Sequence, residues 1–249
     1  MGYEIVSGPF GIYKLCPSRY NSIMISKGGT TMKHVNWARL AARLGIYCLG
    51  LWVLALGIAL SVNCRLGVSP VSSLPYAVSR ILNISLGVCT TAVYGVYILA
   101  QMVLTRKFNP ALLLQLAFST IFGWFVDAAR LLLGDFCLPT YFGQLLMLAA
   151  SILLIGFSLV LYIDVKIAPM PAEGLVGCVA EKTGKPFSSM KTLFDCTSVA
   201  AAIVLSILFL GGLDGIREGT ILTALLAGRS MGIIRRFIGP WIQKLCFGA

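Results

Sequence analysis

Long apolar runs alternate with short polar segments along this chain, and the lengths of the runs set the fold class. A helix needs about 20 apolar residues to cross the hydrocarbon core of a bilayer. Six runs reach that length: about Leu44 to Val62, Leu86 to Leu104, Pro110 to Leu133, Tyr141 to Ile163, Lys191 to Leu210 and Thr220 to Ile238. Pro110 suits a first helical turn, where its missing amide would have no partner in any case. The pattern predicts an all-α fold, a polytopic transmembrane helix bundle of six spans.

Two stretches interrupt that pattern. Arg65 to Leu86 (RLGVSPVSSLPYAVSRILNISL) and Lys166 to Phe187 (KIAPMPAEGLVGCVAEKTGKPF) are too polar to span and too apolar for ordinary loops. Pro70 and Pro75 in the first, and Pro169 and Pro171 in the second, interrupt helical hydrogen bonding. Gly57 lies thirteen residues before Pro70, and Gly156 thirteen before Pro169, so one unit occurs twice at an offset of 99 residues. Further along, Gly123, Asp127 and Arg130 align with Gly228, Gly232 and Arg235 at an offset of 105, which requires a six-residue insertion. Each unit holds an odd number of spans, so the copies face opposite ways. The expectation is an inverted 3+3 repeat, about residues 40–134 and 140–240, in a single transmembrane domain over 37–249. Two placements of the breaks fit: helices lying flat at the membrane surface, or re-entrant half-helices meeting near the midplane.

Composition excludes a water-soluble chain. Hydrophobic residues make up 58% of 249 and charged residues only 12%, against about 25% charged in soluble proteins. Mean hydropathy is +0.89. The excess of 20 Lys and Arg over 9 Asp and Glu does not indicate nucleic acid, because the basic residues sit in short segments between apolar runs. With the amino terminus inside, inner segments hold Lys33, Arg39, Arg43, Arg106, Lys107, Lys166, Lys182, Lys185, Arg235, Arg236 and Lys244. Outer segments hold Arg65, Arg80 and Arg217, with Asp135, Asp214 and Glu218 against them. The positive-inside rule then places both termini in the cytoplasm of a multi-pass protein of the cell's inner membrane. Residues 1–36 read as a disordered or mis-annotated extension, with Met32 as the natural start.

The chemistry-bearing residues are few. The eight cysteines show no metal spacing, although a Cys64–Cys137 bridge on the outer side is compatible with the topology. His34, the single histidine, lies in the amino-terminal flank, and no HExxH, GxSxG or paired-carboxylate motif occurs. No catalytic residue, metal site or cofactor is expected, and the protein reads as no enzyme. Ionisable residues inside spans are costly and default to functional candidates. Asp127 and Arg130 lie three apart on one helix face and can neutralise each other, as can Lys191 and Asp195 four apart. Arg229 stands half way along the sixth span and needs an acid on another helix, for which Asp127 or Asp195 is the candidate. Ser69, Pro70, Ser72 and Ser73 in the first break, and Pro169, Glu173 and Gly174 in the second, complete the substrate-site candidates.

The run LGIALSVNCRLGVSPVSSLPYAVSRILNISLGVCTTAVYG resembles the YczE/YitT group of bacterial integral membrane proteins. Gly67-Val68-Ser69-Pro70 and Gly87 carry the likeness, whereas the second copy has Ile167-Ala168-Pro169 and lacks the matching Gly. The resemblance covers roughly Arg43 to Arg236. It implies a multi-span inner-membrane protein and supplies neither substrate nor catalytic residues. The reading that emerges is a secondary carrier for a small solute or ion, surrounded by the lipid bilayer and compatible with a homo-oligomer. The alternative is a non-transporting membrane protein that stabilises or localises another protein.

Overall fold

The computed structural model describes residues 37–106, 110–213 and 215–247; the expected extension over 1–36 lies outside them. The described chain is helical: α1 (Trp37–Asn63), α2 (Pro70–Leu82), α3 (Leu86–Thr105), α4 (Pro110–Leu133), α5 (Tyr141–Asp164), α6 (Pro171–Thr183), α7 (Phe187–Leu210) and α8 (Glu218–Phe247). Five of the long helices, α1, α3, α4, α5 and α7, are long and apolar enough to cross a membrane, which makes the chain an integral membrane protein. The sixth predicted span falls within α8, whose 30 residues include Arg229, Arg235 and Arg236 and leave it short of that standard.

The order long, short, long, long occurs twice, and local conformations recur with it. Pro70 and Pro171 each open a 13-residue helix, 101 residues apart. Arg65 and Lys166 are left-handed at the same separation, as are Asn83 and Gly184. The offset of 99 read from Gly57…Pro70 and Gly156…Pro169 is therefore two residues out. Pro169 lies in the approach to α6, and Pro171 is the counterpart of Pro70. A proline favours N1 because its fixed φ and absent amide suit that position, so the helix start is the better landmark. On this register Glu173 matches Ser72, and Gly174 matches Ser73. Pro75 does not stop α2, which continues through it to Leu82.

α1 and α5 cross at the centre and run antiparallel: Arg43 bonds to Val165 O, while Gly57 meets Ile155. Small residues let the backbones approach. A Cβ at Gly50 would lie 3.0 Å from Leu161 Cβ, and one at Gly156 would strike the Ser230 hydroxyl. Each short helix packs on the long helix that follows the other one, α2 on α7 and α6 on α3. Both short helices are buried at their first turns and reach exposed residues at their ends, Leu82 for α2 and Thr183 for α6. At one end of the bundle, named here for Asn63, Val68 N bonds to Gly215 O at 2.8 Å and Gly219 N to Leu66 O at 2.7 Å. The opposite end is named for Arg43. Cys64 and Cys137 come near each other at the Asn63 end, but both are free thiols.

Candidate functional site

Buried polar side chains gather around the first turn of α6. Gln101 of α3, fully buried, donates through Nε2 to Pro171 O at 3.1 Å. Gln115 of α4 stands on the other side of Gly174. A Cβ at Gly174 would lie 2.6 Å from Gln101 Oε1 and 2.9 Å from Gln115 Nε2, so only glycine fits between the two amides without displacing one. The Tyr162 hydroxyl of α5 donates to Glu173 Oε1 at 3.3 Å. Three acceptors here, Gln101 Oε1, Gln115 Oε1 and Glu173 Oε2, are closed to solvent and receive no hydrogen bond among the described residues. A buried acceptor left unpaired costs ~1–3 kcal/mol. Chemically, the three can accept hydrogen bonds from any group that brings donors.

Electrostatics single out Glu173, which lies outside the five apolar spanning helices. Burial pushes its carboxyl above the ordinary carboxylate range, with Lys191 pulling it back and Asp195 adding to the rise. Lys191 and Asp195, on the first turns of α7, form their own ion pair at 2.6 Å. Lys191 also stands 5.8 Å from the Phe194 ring, which meets Tyr97 of α3 edge-on at 5.2 Å. The carboxyl of Glu173 can take up or release a proton inside a shell of amides and aromatic rings.

The remaining candidates fall into three places. Ser69, just before α2, and Ser72 and Ser73 in its first turn are buried but satisfied locally: Ser69 Oγ donates to Ser72 Oγ at 3.0 Å and Ser73 Oγ to Pro70 O at 2.7 Å. Asp127 does not rely on Arg130. Its carboxylate accepts from Ser85 Oγ and from Gly87 N, each at 2.7 Å, and so caps the amino terminus of α3 where the helix dipole favours an anion. Arg130 reaches toward Asn63 Oδ1 at 3.5 Å. Arg229 lies on the exposed face of α8, with no hydrogen bond or ion pair among the described residues, so neither Asp127 nor Asp195 serves it.

Gln101, Gln115, Tyr97 and Tyr162 are the site residues that a search for charges misses. Their signal was available, because a glutamine or a tyrosine hydroxyl inside an apolar run also needs a partner away from lipid. Asp164 is a second omission. At 1% exposure it pairs with Arg235 at 2.9 Å and ties α5 to α8.

A family model spanning residues 41–236 matches the chain, which belongs to DUF6198, a family of unknown function. The chain is also 29% identical over 184 residues to the uncharacterized protein YyaS of Bacillus subtilis (strain 168), covering 73% of this chain and 87% of that one. Neither match names the YczE/YitT group, so that resemblance is carried no further. No solved structure matches the chain.

Proposed function

We propose that the protein is a secondary carrier for a small solute, with six spans arranged as an inverted 3+3 repeat, and that it is not an enzyme. In this reading the Asn63 end faces outward, both termini are cytoplasmic, and α2 and α6 enter the bundle from opposite sides. Three features support it: the recurrence of local conformations at 101 residues, the antiparallel α1 and α5, and the short helices buried at their starts and exposed at their ends. Helices built in that way place freed amides and dipole ends at a shared interior site. The single observation that carries the function is the buried Glu173 Oε2 without a partner, beside two amide oxygens in the same condition. Three such acceptors would be costly in a protein that had only to pack.

Flux into proteoliposomes holding the full chain tests the reading, measured over a panel of small solutes with and without an imposed proton gradient. We expect one solute class to move. Glu173→Gln should reduce that flux by more than about tenfold, the loss of a charge-assisted interaction, while Ser72→Ala should leave it within about twofold. Absence of flux across the panel overturns the carrier. The second reading, a membrane partner for another protein, is favoured by Arg229 on the exposed face of α8. A protein recovered in stoichiometric complex, and lost on Arg229→Leu, would establish it.

A further inference from the structure

Arginine is unevenly placed on this molecule. The segments at the Asn63 end hold three basic residues, Arg65, Arg80 and Arg217, and all three are arginine, whereas the opposite end mixes arginine with lysine. Arginine's planar fork recognises carboxylate and phosphate through paired hydrogen bonds, which the point charge of lysine does not reproduce. The three come from separate parts of the chain: the turn after α1, the last turn of α2 and the approach to α8. They nevertheless line one hollow of about 450 Å³, and Arg130 of α4 joins them there. A second hollow of about 670 Å³ adjoins it and shares Tyr76, Arg80, Arg130 and Asp135.

Among the described residues two carboxylates line this space, Asp127 and Asp135. Asp127 is held by Ser85 and by the amide of Gly87. Asp135 is exposed and makes no ion pair among the described residues. Arg217 does pair with Glu218 at 3.5 Å, but both are exposed, and such pairs contribute little. Arg217 also donates to Arg65 O at 3.2 Å, so the four arginines line one hollow of the size that small ligands fill as a linked group.

We propose that the hollow at the Asn63 end is a binding site for a small oxyanion bearing carboxylate or phosphate groups, held by Arg65, Arg80, Arg130 and Arg217. The phosphate of an anionic lipid headgroup shares that chemistry and is the other source of the ligand. The site stands on its own geometry, apart from the carrier reading.

The test uses the full chain in nanodiscs of phosphatidylcholine alone, with inorganic phosphate and citrate as probes at constant ionic strength set by chloride. Saturable binding of one probe is expected. Arg80→Gln and Arg217→Gln should each weaken it about tenfold, as expected for loss of a charged hydrogen bond. Asp135→Asn should strengthen it severalfold, and Arg236→Gln at the other end should leave it unchanged. In a parallel arm, discs containing phosphatidylglycerol are examined for retained lipid by native mass spectrometry. Lipid retained in the natural chain and lost in Arg80→Gln assigns the site to a headgroup. No probe binding and no retained lipid overturns the proposal, as does binding that is equal in the natural chain, Arg80→Gln and Arg217→Gln. Binding without flux in proteoliposomes keeps this site and removes the carrier; flux with neither probe binding nor retained lipid does the reverse.

Discussion

α2 and α6 are each 13 residues long, open on a proline and close before a left-handed residue, yet they differ in what their polar groups do. The serines of α2 bond to one another and to its own first carbonyl. At the matching positions α6 carries Glu173 and Gly174, which bring a carboxyl and two glutamines together with three acceptors unfilled. The long helices differ in the same way. α3 and α4 are clasped through Gly87, Gly123 and Asp127, while no comparable packing joins α7 to α8 among the described residues. α8 leans on α5 instead, held by Asp164 and Arg235. The two short helices use the same frame, but the serines at the start of α2 are satisfied, whereas the groups gathered around α6 are not. Where one local pattern occurs twice in a chain, function is to be sought where the two occurrences diverge.

The largest effect expected from breaking this comparison lies at its two matched tethers. Arg235 bonds to Asp164, and Arg130, at the matching place, to Asn63. Asp164 is 1% exposed, so removing Arg235 takes a guanidinium from a buried carboxylate. Arg235→Gln should cost ~3–5 kcal/mol, whereas Arg130→Gln, facing a neutral amide at 3.5 Å, should cost under about 1 kcal/mol. Denaturation of both variants in detergent measures the difference. Equal losses would show that the tethers are equivalent and that the asymmetry of the halves is not energetic.

The glycine clasp comes next. A Cβ at Gly123 would strike the Thr91 hydroxyl and lie 2.7 Å from Gly87 O, which is backbone and cannot turn aside. At Gly228, which the sequence aligns with Gly123, nothing lies within 4 Å. Gly123→Ala should therefore lose ~1–3 kcal/mol to overpacking, and Gly228→Ala should gain up to about 1 kcal/mol from helix propensity. A loss at Gly228 as large as at Gly123 would mean that α8 packs against something in the membrane that mirrors the clasp.

The helices were legible in the sequence because they rest on the length of apolar runs, a signal that packing does not alter. Pro110 to Leu133 falls where it was predicted, and the fourth run extends by a single residue to Asp164. Register was harder. Aligning Gly57 with Gly156 matched letters, but Gly57 makes room for Ile155 while Gly156 makes room for Ser230. The two glycines face different neighbours and are not counterparts. Asp127 was flagged for its charge, yet its partners, Ser85 and the amide of Gly87, are 42 and 40 residues away. An amide hydrogen bond of that kind leaves no trace in residue spacing. The glutamines at the site went unread because attention to charge passes over neutral amides that carry the same need for partners.

Stability and function should separate at Gly174. Its neighbours are side-chain ends, which can rotate, so Gly174→Ala should cost only about 1 kcal/mol, less than Gly123→Ala. Yet the added methyl would stand between Gln101 and Gln115, and any flux should fall sharply. Ser73→Ala, at the matching position of α2, removes one local hydrogen bond for ~0.5–1.5 kcal/mol and should leave flux near normal. Similar flux in the two variants would dissolve the functional contrast between the short helices.

The smallest effect is a pH dependence of stability centred on α6. Burial holds the Glu173 carboxyl above its ordinary value of 4.5, so the folded state binds the proton more tightly than the unfolded one. By linkage, the stabilisation from that proton is complete below 4.5 and is lost as pH rises through the raised value. Glu173→Gln cannot titrate. It should match the natural chain in acid and become the more stable of the two as pH rises, even while it loses flux. Ser72→Ala offers no titrating group and should show a constant difference across the same range. Melting temperatures of the three proteins over a pH series decide the matter. A Glu173→Gln curve parallel to that of the natural chain would mean that Lys191 compensates the carboxylate fully, and that Glu173 stays charged within the fold.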